Sequence, residues 1–397
     1  MATRRAVIVD VIRTPFGRGR ESGILAHWHP VDLYAQVLSA IVERNRLDPA
    51  LIEDVITGCV VQVAEQSGNI GRQAVLAAGF PECVPAVTLD RKCGSAQQAV
   101  DFAAQGVIAG ACDLVLAGGV EMMSRVPMRA NRMGKDNMGS AHHARYPEGL
   151  VGQGIAAELI AAKWNISRED QDRLALRSHE LAAAAEDSGS TARDILPLPS
   201  RNHDSSPVAR DEGLRRDTTF DKLSALQPAF RDPTMQERFP EIDWSVSAGN
   251  SSQVTDGACA VLIAEESTAA RLNLTPRASV EAFAVTGDDP LFMLTGIIPA
   301  TEKLLRRAGL SVDDIDSFEV NEAFASVVLA WQKHFAANPE KINQFGGAIA
   351  LGHPVGASGG RLLGNLLRTL EETNGRYGLQ TMCESGGMAN ATLVRRL

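Results

Sequence analysis

The 397-residue chain predicts an α/β layered fold built from two similar halves, with a long insertion in the first. Apolar runs of strand length alternate with helical stretches: AVIVDVI, then VDLYAQVLSAIVERN, then DVITGCVV, and later QAVDFAAQGVIAGA before DLVLAGGVE. Strands that are apolar throughout and separated by helices belong to sheets covered on both faces. The chain also echoes itself. Residues 33–58 and 300–321 each run helix, short turn, leucine, four residues, isoleucine, acid and strand, so that Leu47 and Ile52 answer Leu310 and Ile315. Each half then offers a small-residue helix entrance, a helix, and a strand ending in paired glycines: CGSAQQAV to DLVLAGG first, GASGGRLL to LQTMCESGG second. A duplicated α/β unit accounts for both observations.

Between the halves the texture changes. Residues 121–249 hold MSRVPMRANRMGKDNMGSAHHARYPEG, a helical stretch SREDQDRLALRSHELAAAAEDSG with Ser167 as N-cap and Asp170 at the capping-box position, and polar stretches such as PLPSRNHDSSPVARDEGLRRD. A segment of this length predicts a lid over the end of the first half. The expected division is 1–120 plus 250–270 for the first half, 121–249 for the loop domain and 271–397 for the second half.

Composition narrows the function classes. With 45% hydrophobic and 22% charged residues the chain can bury a large core. A net charge of -9 with no basic run argues against nucleic acid or an anionic membrane surface as partner. No stretch approaches the roughly 20 apolar residues of a membrane span. The first apolar run is short and interrupted by Asp10, which reads as a strand rather than a signal peptide. The six cysteines form no CxxC pair and no His-flanked metal spacing, so reduced thiols in a cytoplasmic enzyme without a metal are expected.

Four stretches carry candidate chemistry. In VTLDRKCGSAQQAVDFAA a strand ends near Leu89 and a helix begins near Gly94, placing Cys93 at a helix N-terminus, where unpaired amides and the dipole favour a thiolate. In FEVNEAFASVVLAW, Asn321 and Glu322 end an apolar strand before a helix, the edge where open parallel sheets bind ligands; the pair could equally cap the helix. In QFGGAIALGHPVGASGGR, His353 stands between Gly352 and Pro354, too constrained for a surface histidine, although a satisfied core histidine is the bland alternative. In LQTMCESGGMAN, Cys383 closes a strand before a turn of small residues.

Rival motifs fail on their contexts. Gly356, Ser358 and Gly360 satisfy GxSxG, but a hydrolase serine needs its histidine later in the chain, and none follows His353. Ser358 reads instead as a helix-entrance residue. Gly152, Gly154 and Ala157 satisfy GxGxxA, yet ARYPEGL before them is no strand. A papain-like order Cys93, His353, Asn390 has intervals far from that family's.

Taken together, VIVDVIRTPFGR, CGSAQQA, GGVEMMSR, AGNSSQVTDGA, NEAFA, GGAIALGHPVGASGGR and TMCESGG resemble the thiolase family, acetyl-CoA acetyltransferases and 3-ketoacyl-CoA thiolases, over nearly the whole chain. The resemblance implies two five-layered α/β/α/β/α halves with a loop domain inserted in the first. It implies Cys93 as the nucleophile that takes the acyl group, His353 as its activator, and Cys383 as the second thiol acting as general acid/base. Asn321 matches the residue that holds a water in a first oxyanion hole shared with His353, and the amides of Cys93 and Ser385 match the second hole. Arg215 and Ser252 match coenzyme A contacts. Coenzyme A enters as substrate, no metal or permanently bound cofactor is implied, and members are homodimers or homotetramers. A decarboxylative condensing enzyme of the same fold carries histidine in place of the asparagine and second cysteine, unlike Asn321 and Cys383.

This chain departs from the family pattern at two places. Phe345 stands where Asn-x-Asn-Gly-Gly carries its second asparagine, and Ser385 where a glycine is usual. Those changes leave open a thiolase-like protein that binds acyl-CoA with weak or no turnover. PLFMLTGIIPAT, CGSAQQA and the C-terminal stretch look closer to degradative thiolases of bulky acyl chains, including steroid-breakdown ones.

Overall fold

The computed structural model describes residues 4–200 and 206–397. Ten strands form one mixed sheet: β1 (Ala6–Arg13), β2 (Gly17–Arg18), β3 (Asp54–Gly58), β4 (Ala86–Leu89), β5 (Leu114–Met122), β6 (Thr255–Glu265), β7 (Ala278–Gly287), β8 (Ser317–Val320), β9 (Tyr377–Glu384) and β10 (Met388–Arg396). Their order is β4-β3-β5-β6-β1-β7-β10-β9-β8, with β2 on β6. Read outward from the centre, β1, β6, β5 and β3 answer β7, β10, β9 and β8. The halves join through a short antiparallel ladder, Val7 opposite Ser279 and Ile8 opposite Ala278.

The echo in sequence is an echo in structure. Helix α1 (Pro30–Arg44) leads through a 3₁₀ turn, Pro49–Leu51, capped by Asp48, into β3. A second helix, Ile297–Ala308, leads through Val312–Asp314, capped by Ser311, into β8. Ile52 and Ile315, which follow these turns, are buried.

Side-chain alternation along the strands sorts the core into layers. Leu114, Leu116 and Leu262 pack outward with α1, while Val115, Ala117, Val261 and Ile263 point inward. The inward set meets Val280 and Val394 of the second half around two central helices, α2 (Ser95–Ala109) and α3 (Ser358–Thr373). Phe318, Leu379 and Leu393 face an outer helical layer of the second half. The result is helix, sheet, helix, sheet, helix, the layering that the resemblance implies.

The central helices come unusually close. A side chain at Gly359 would collide with the Gln97 backbone, and one at Gly360 with Cys259. Gln97 Nε2 donates to the Gln380 carbonyl (3.2 Å) and Gln380 Nε2 to the Gly359 carbonyl (3.0 Å), tying both helices to β9. Between β5 and β6 the chain leaves the sheet for an excursion that contains a helix from Gln153 to Lys163 and another, α4, from Arg168 to Ser188. Ser167 and Asp170 form the expected capping box on α4, and Gly189 ends it in left-handed geometry. No helix among the described residues is long and apolar enough to cross a membrane.

Gly359→Val should force α2 and α3 apart. We expect a loss of about 1–3 kcal/mol in urea unfolding, the usual range for overpacking.

Candidate active site

The two central helices begin on the same side of the sheet, and the loops that enter them carry the chemistry. Before α2 the chain turns sharply, with Lys92 in left-handed geometry at φ 49°. Ser95 closes this turn, accepting from the Arg91 amide (2.8 Å) and donating to the Lys92 carbonyl (2.6 Å). Cys93 is thereby held just before the Gly94 cap, 5% exposed, among Met123, Val355, Leu362 and Met382.

The helix-terminus expectation for this thiol is overturned. Burial pushes Cys93 up to about 12, so in the resting site it is a neutral thiol. Desolvation of a thiolate outweighs the pull of the helix end.

His353 lies in the loop before α3. Gly352 precedes it at φ 98° with Thr255 packed where a Cβ would be, and the His353 amide donates to the Gln253 carbonyl (3.0 Å). Ser358 Oγ sits 2.6 Å from His353 Nδ1 and donates to the Pro354 carbonyl (3.0 Å). With its own proton committed there, Ser358 accepts from Nδ1–H, which leaves the lone pair on Nε2. Nε2 faces Asn321 Nδ2, a donor, at 3.4 Å. Burial first, and the Arg361 charge second, pull the imidazole down to about 3, so it is a neutral base. Among the described residues, Asn321 and Ser358 are the two side chains to which it hydrogen-bonds.

Asn321 and Glu322 take separate tasks. Asn321, buried, follows β8 with its amide on the Thr381 carbonyl (3.1 Å), and its Oδ1 has no hydrogen-bond partner among the described residues. Glu322 turns away and accepts from Ser178 Oγ (2.7 Å), Asn343 Nδ2 (3.0 Å) and the Ile349 amide (3.2 Å). It braces the loop leading to His353 rather than facing the thiols.

Cys383, buried near the end of β9, is raised well above its ordinary value by burial and by the neighbouring Cys93. Ser385 follows in the turn, half-buried, and the positive φ values fall on Gly386 (97°) and Gly387 (76°) instead. Serine therefore fits without strain. Phe345 lines a separate cavity of about 220 Å³ with Ala182, Ala185, Ile195 and Leu351. Asn343 supplies the polar support nearby, its Oδ1 accepting from the Val320 amide (2.9 Å). Neither departure from the family pattern disturbs the buried Cys93, His353 and Asn321.

Arg215 is exposed and forms no ion pair among the described residues; its amide donates to Nδ1 of His179 (3.2 Å). Ser252 is half-buried with its amide on the Ala323 carbonyl (3.0 Å), beside the NEAFA loop. No cluster of three or more His, Cys, Asp or Glu able to hold a metal ion occurs among the described residues.

Comparison with known proteins agrees with this layout. Residues 6–267 match the model of the thiolase N-terminal domain and 274–396 that of the thiolase C-terminal domain. The chain is 44% identical to the steroid 3-ketoacyl-CoA thiolase FadA6 of Mycobacterium tuberculosis, over 99% of this chain and 94% of the relative. It is 42% identical to the 3-ketoacyl-CoA thiolase of Idiomarina loihiensis, over 98% and 99%. Among solved structures, the acetyl-CoA acetyltransferase of Bacillus anthracis and human mitochondrial 3-ketoacyl-CoA thiolase each superpose with a TM-score of 0.88, at 34% and 33% identity, covering 100% of both chains. The chain belongs to the thiolase family. Within the enzymes of that family it is an acyltransferase.

Sequence reasoning missed Ser358 as a partner of the imidazole. It read as a helix-entrance residue, and only the fold of the 354–358 turn brings Oγ back onto Nδ1. Ser358→Ala should lower kcat by about 10- to 100-fold through misorientation of the ring, with KM nearly unchanged. Steady-state kinetics would check this.

His179, buried under Arg215, is pulled down to about 4 by burial and by that arginine. In the unfolded chain it binds a proton below its ordinary value of 6.5, while the folded protein keeps it neutral. Its contribution therefore destabilises the fold as pH falls from 6.5 towards 4. Urea unfolding at several pH values should show a shallower acid loss for His179→Gln than for the parent.

Proposed function

We propose that this chain is a 3-ketoacyl-CoA thiolase that works through an acyl-enzyme on Cys93. The observation that carries the reading is the assembly, from both halves, of two buried thiols and a neutral imidazole whose Nε2 lone pair faces the Asn321 amide. In the cleavage direction Cys93 Sγ attacks the 3-keto carbon while its proton passes to His353 Nε2. The bond to the α-carbon breaks, and the acetyl-CoA enolate takes the proton of Cys383. Coenzyme A then attacks the thioester; its proton restores Cys383, and the proton on His353 returns to Cys93. One thioester replaces another at little cost, which a hydroxyl nucleophile would forfeit.

Asn321 Nδ2 and His353 serve the oxyanion of one stage, and the amides of Cys93 and Ser385 that of the other. Arg215, without an ion pair among the described residues, offers its charge to a coenzyme A phosphate, and Ser252, half-buried beside the NEAFA loop, offers a second contact. A bulky, steroid-type acyl group is favoured by the mycobacterial relative. A homodimer at least is favoured by β4, which ends the sheet among the described residues and carries the exposed Val87. Six free cysteines without a disulfide suit a cytoplasmic enzyme.

Incubation with acetyl-CoA followed by intact-mass analysis should show a labile acetyl adduct, absent in Cys93→Ala. Binding of acyl-CoA with no adduct and no thiolysis of a panel from acetoacetyl-CoA to ring-bearing ketoacyl-CoAs would overturn the reading. Asn321→Ala should retain the adduct but lower kcat by about 10²- to 10³-fold, the range for loss of one oxyanion donor.

A further inference from the structure

A carboxyl group that the acyl-transfer steps do not use is buried against the Cys93 turn. Glu384 follows Cys383 in β9, so strand alternation sends its side chain to the opposite face. There it lies against Gly94, where a Cβ would collide with Glu384 Oε1. The residue is 0% exposed, and neither carboxyl oxygen has a hydrogen-bond partner among the described residues.

Its surroundings are rich in acceptors and short of donors. Asn390 Nδ2 donates to the Gly94 carbonyl (3.1 Å), leaving Asn390 Oδ1 unpartnered. Turning that amide over would set two oxygens against each other, so its orientation is fixed. Gln97 Oε1 and Asp101 Oδ2 also lack donors, while Asp101 Oδ1 accepts from Thr392 (2.7 Å). The charged and titratable groups around Glu384 are Asp90, Arg91 and Cys93 of the turn, Asp101 of α2 and Cys383 of its own strand. Arg91 forms no ion pair with it. A carboxylate in such a site would be a buried charge with nothing to donate to it, whereas a neutral carboxylic acid brings the missing donor.

We propose that Glu384 is a positioning residue held as the neutral acid in the resting enzyme, donating within the Gly94–Asn390 cluster, and that its ionisation sets the alkaline limit of Cys93 reactivity. The proposal rests on the reading of Cys93 as nucleophile. While neutral, Glu384 braces the turn and adds no charge beside the two thiols. Once it loses its proton to solvent, its negative charge opposes thiolate formation on Cys93 as the proton leaves for His353, and equally on Cys383 as it protonates the enolate. Burial raises this carboxyl to about 8, against the weaker pull of Arg91, so the change falls within a range where the enzyme can be assayed.

The test is the pH dependence of Cys93 alkylation by iodoacetamide, with the modified residue located by peptide mass, in the parent chain and in Glu384→Gln. The rate ratio of variant to parent should rise from near one at neutral pH to about tenfold well above pH 8, the effect of one removed neighbouring charge. Glu384→Met, uncharged and of similar size, should show the same alkaline gain, and it carries the test if the glutamine variant folds poorly. Coincident profiles, or a variant already faster by the same factor at pH 6.5, would overturn the proposal. The second result would mean that Glu384 is ionised at rest. Preferential alkylation elsewhere than Cys93 would instead count against the nucleophile assignment.

Discussion

The contact of Gly359 with the Gln97 backbone, where the two central helices meet almost without side chains between them, fixes the distance between the halves. Loops entering α2 and α3 inherit that distance. Cys93 ends one loop and His353 lies in the other, so their mutual placement depends on helix packing and not on any direct bond between them. Sites carried on rigid elements hold their geometry better than sites on free loops. The glutamines Gln97 and Gln380 add direction to the contact by pinning both helices to the strand that carries Cys383.

That same burial decides the electrostatics. The interior around the thiols is dry enough that Cys93, Cys383 and His353 all rest uncharged, each displaced from its ordinary value chiefly by desolvation. Charge then appears only when a substrate arrives with an oxygen that can be stabilised, which confines it to the moment of reaction. One cation stands against that pattern: buried Arg361, 3.8 Å from Glu319, lies near the imidazole and adds to burial in holding the ring neutral.

Much of the fold was legible because it repeats. Leu47, Ile52, Leu310 and Ile315 mark equivalent turns, and a pattern seen twice in one chain carries more information than either copy. Cys93, Asn321 and Cys383 stood out in the sequence because each sits where a strand ends or a helix begins, and His353 because Gly352 and Pro354 confine it. What the sequence hid were interactions across loops: Ser358 folding back on the ring, Glu322 bracing the Ile349 amide and not facing the substrate edge, and Phe345 turning into a cavity along α4. Each depends on which way one side chain points, which neither periodicity nor spacing encodes. The ionisation of Cys93 was misread for a related reason. A helix end is visible in sequence, whereas the depth of burial that overrides it emerges only after both halves have packed.

The excursion between β5 and β6 has a temporal side. β6 lies between β5 and β1 in the sheet, yet it is separated from β5 by residues 123–254. During synthesis the ribosome must deliver the whole excursion before the strand that joins β5 to β1 exists, and until residue 265 emerges those two have no shared neighbour. Strand pairing over such separations is slow, and the waiting edges are sticky. The nascent chain therefore spends about a third of its length with an unclosed apolar sheet, the period in which a chaperone would have most to hold.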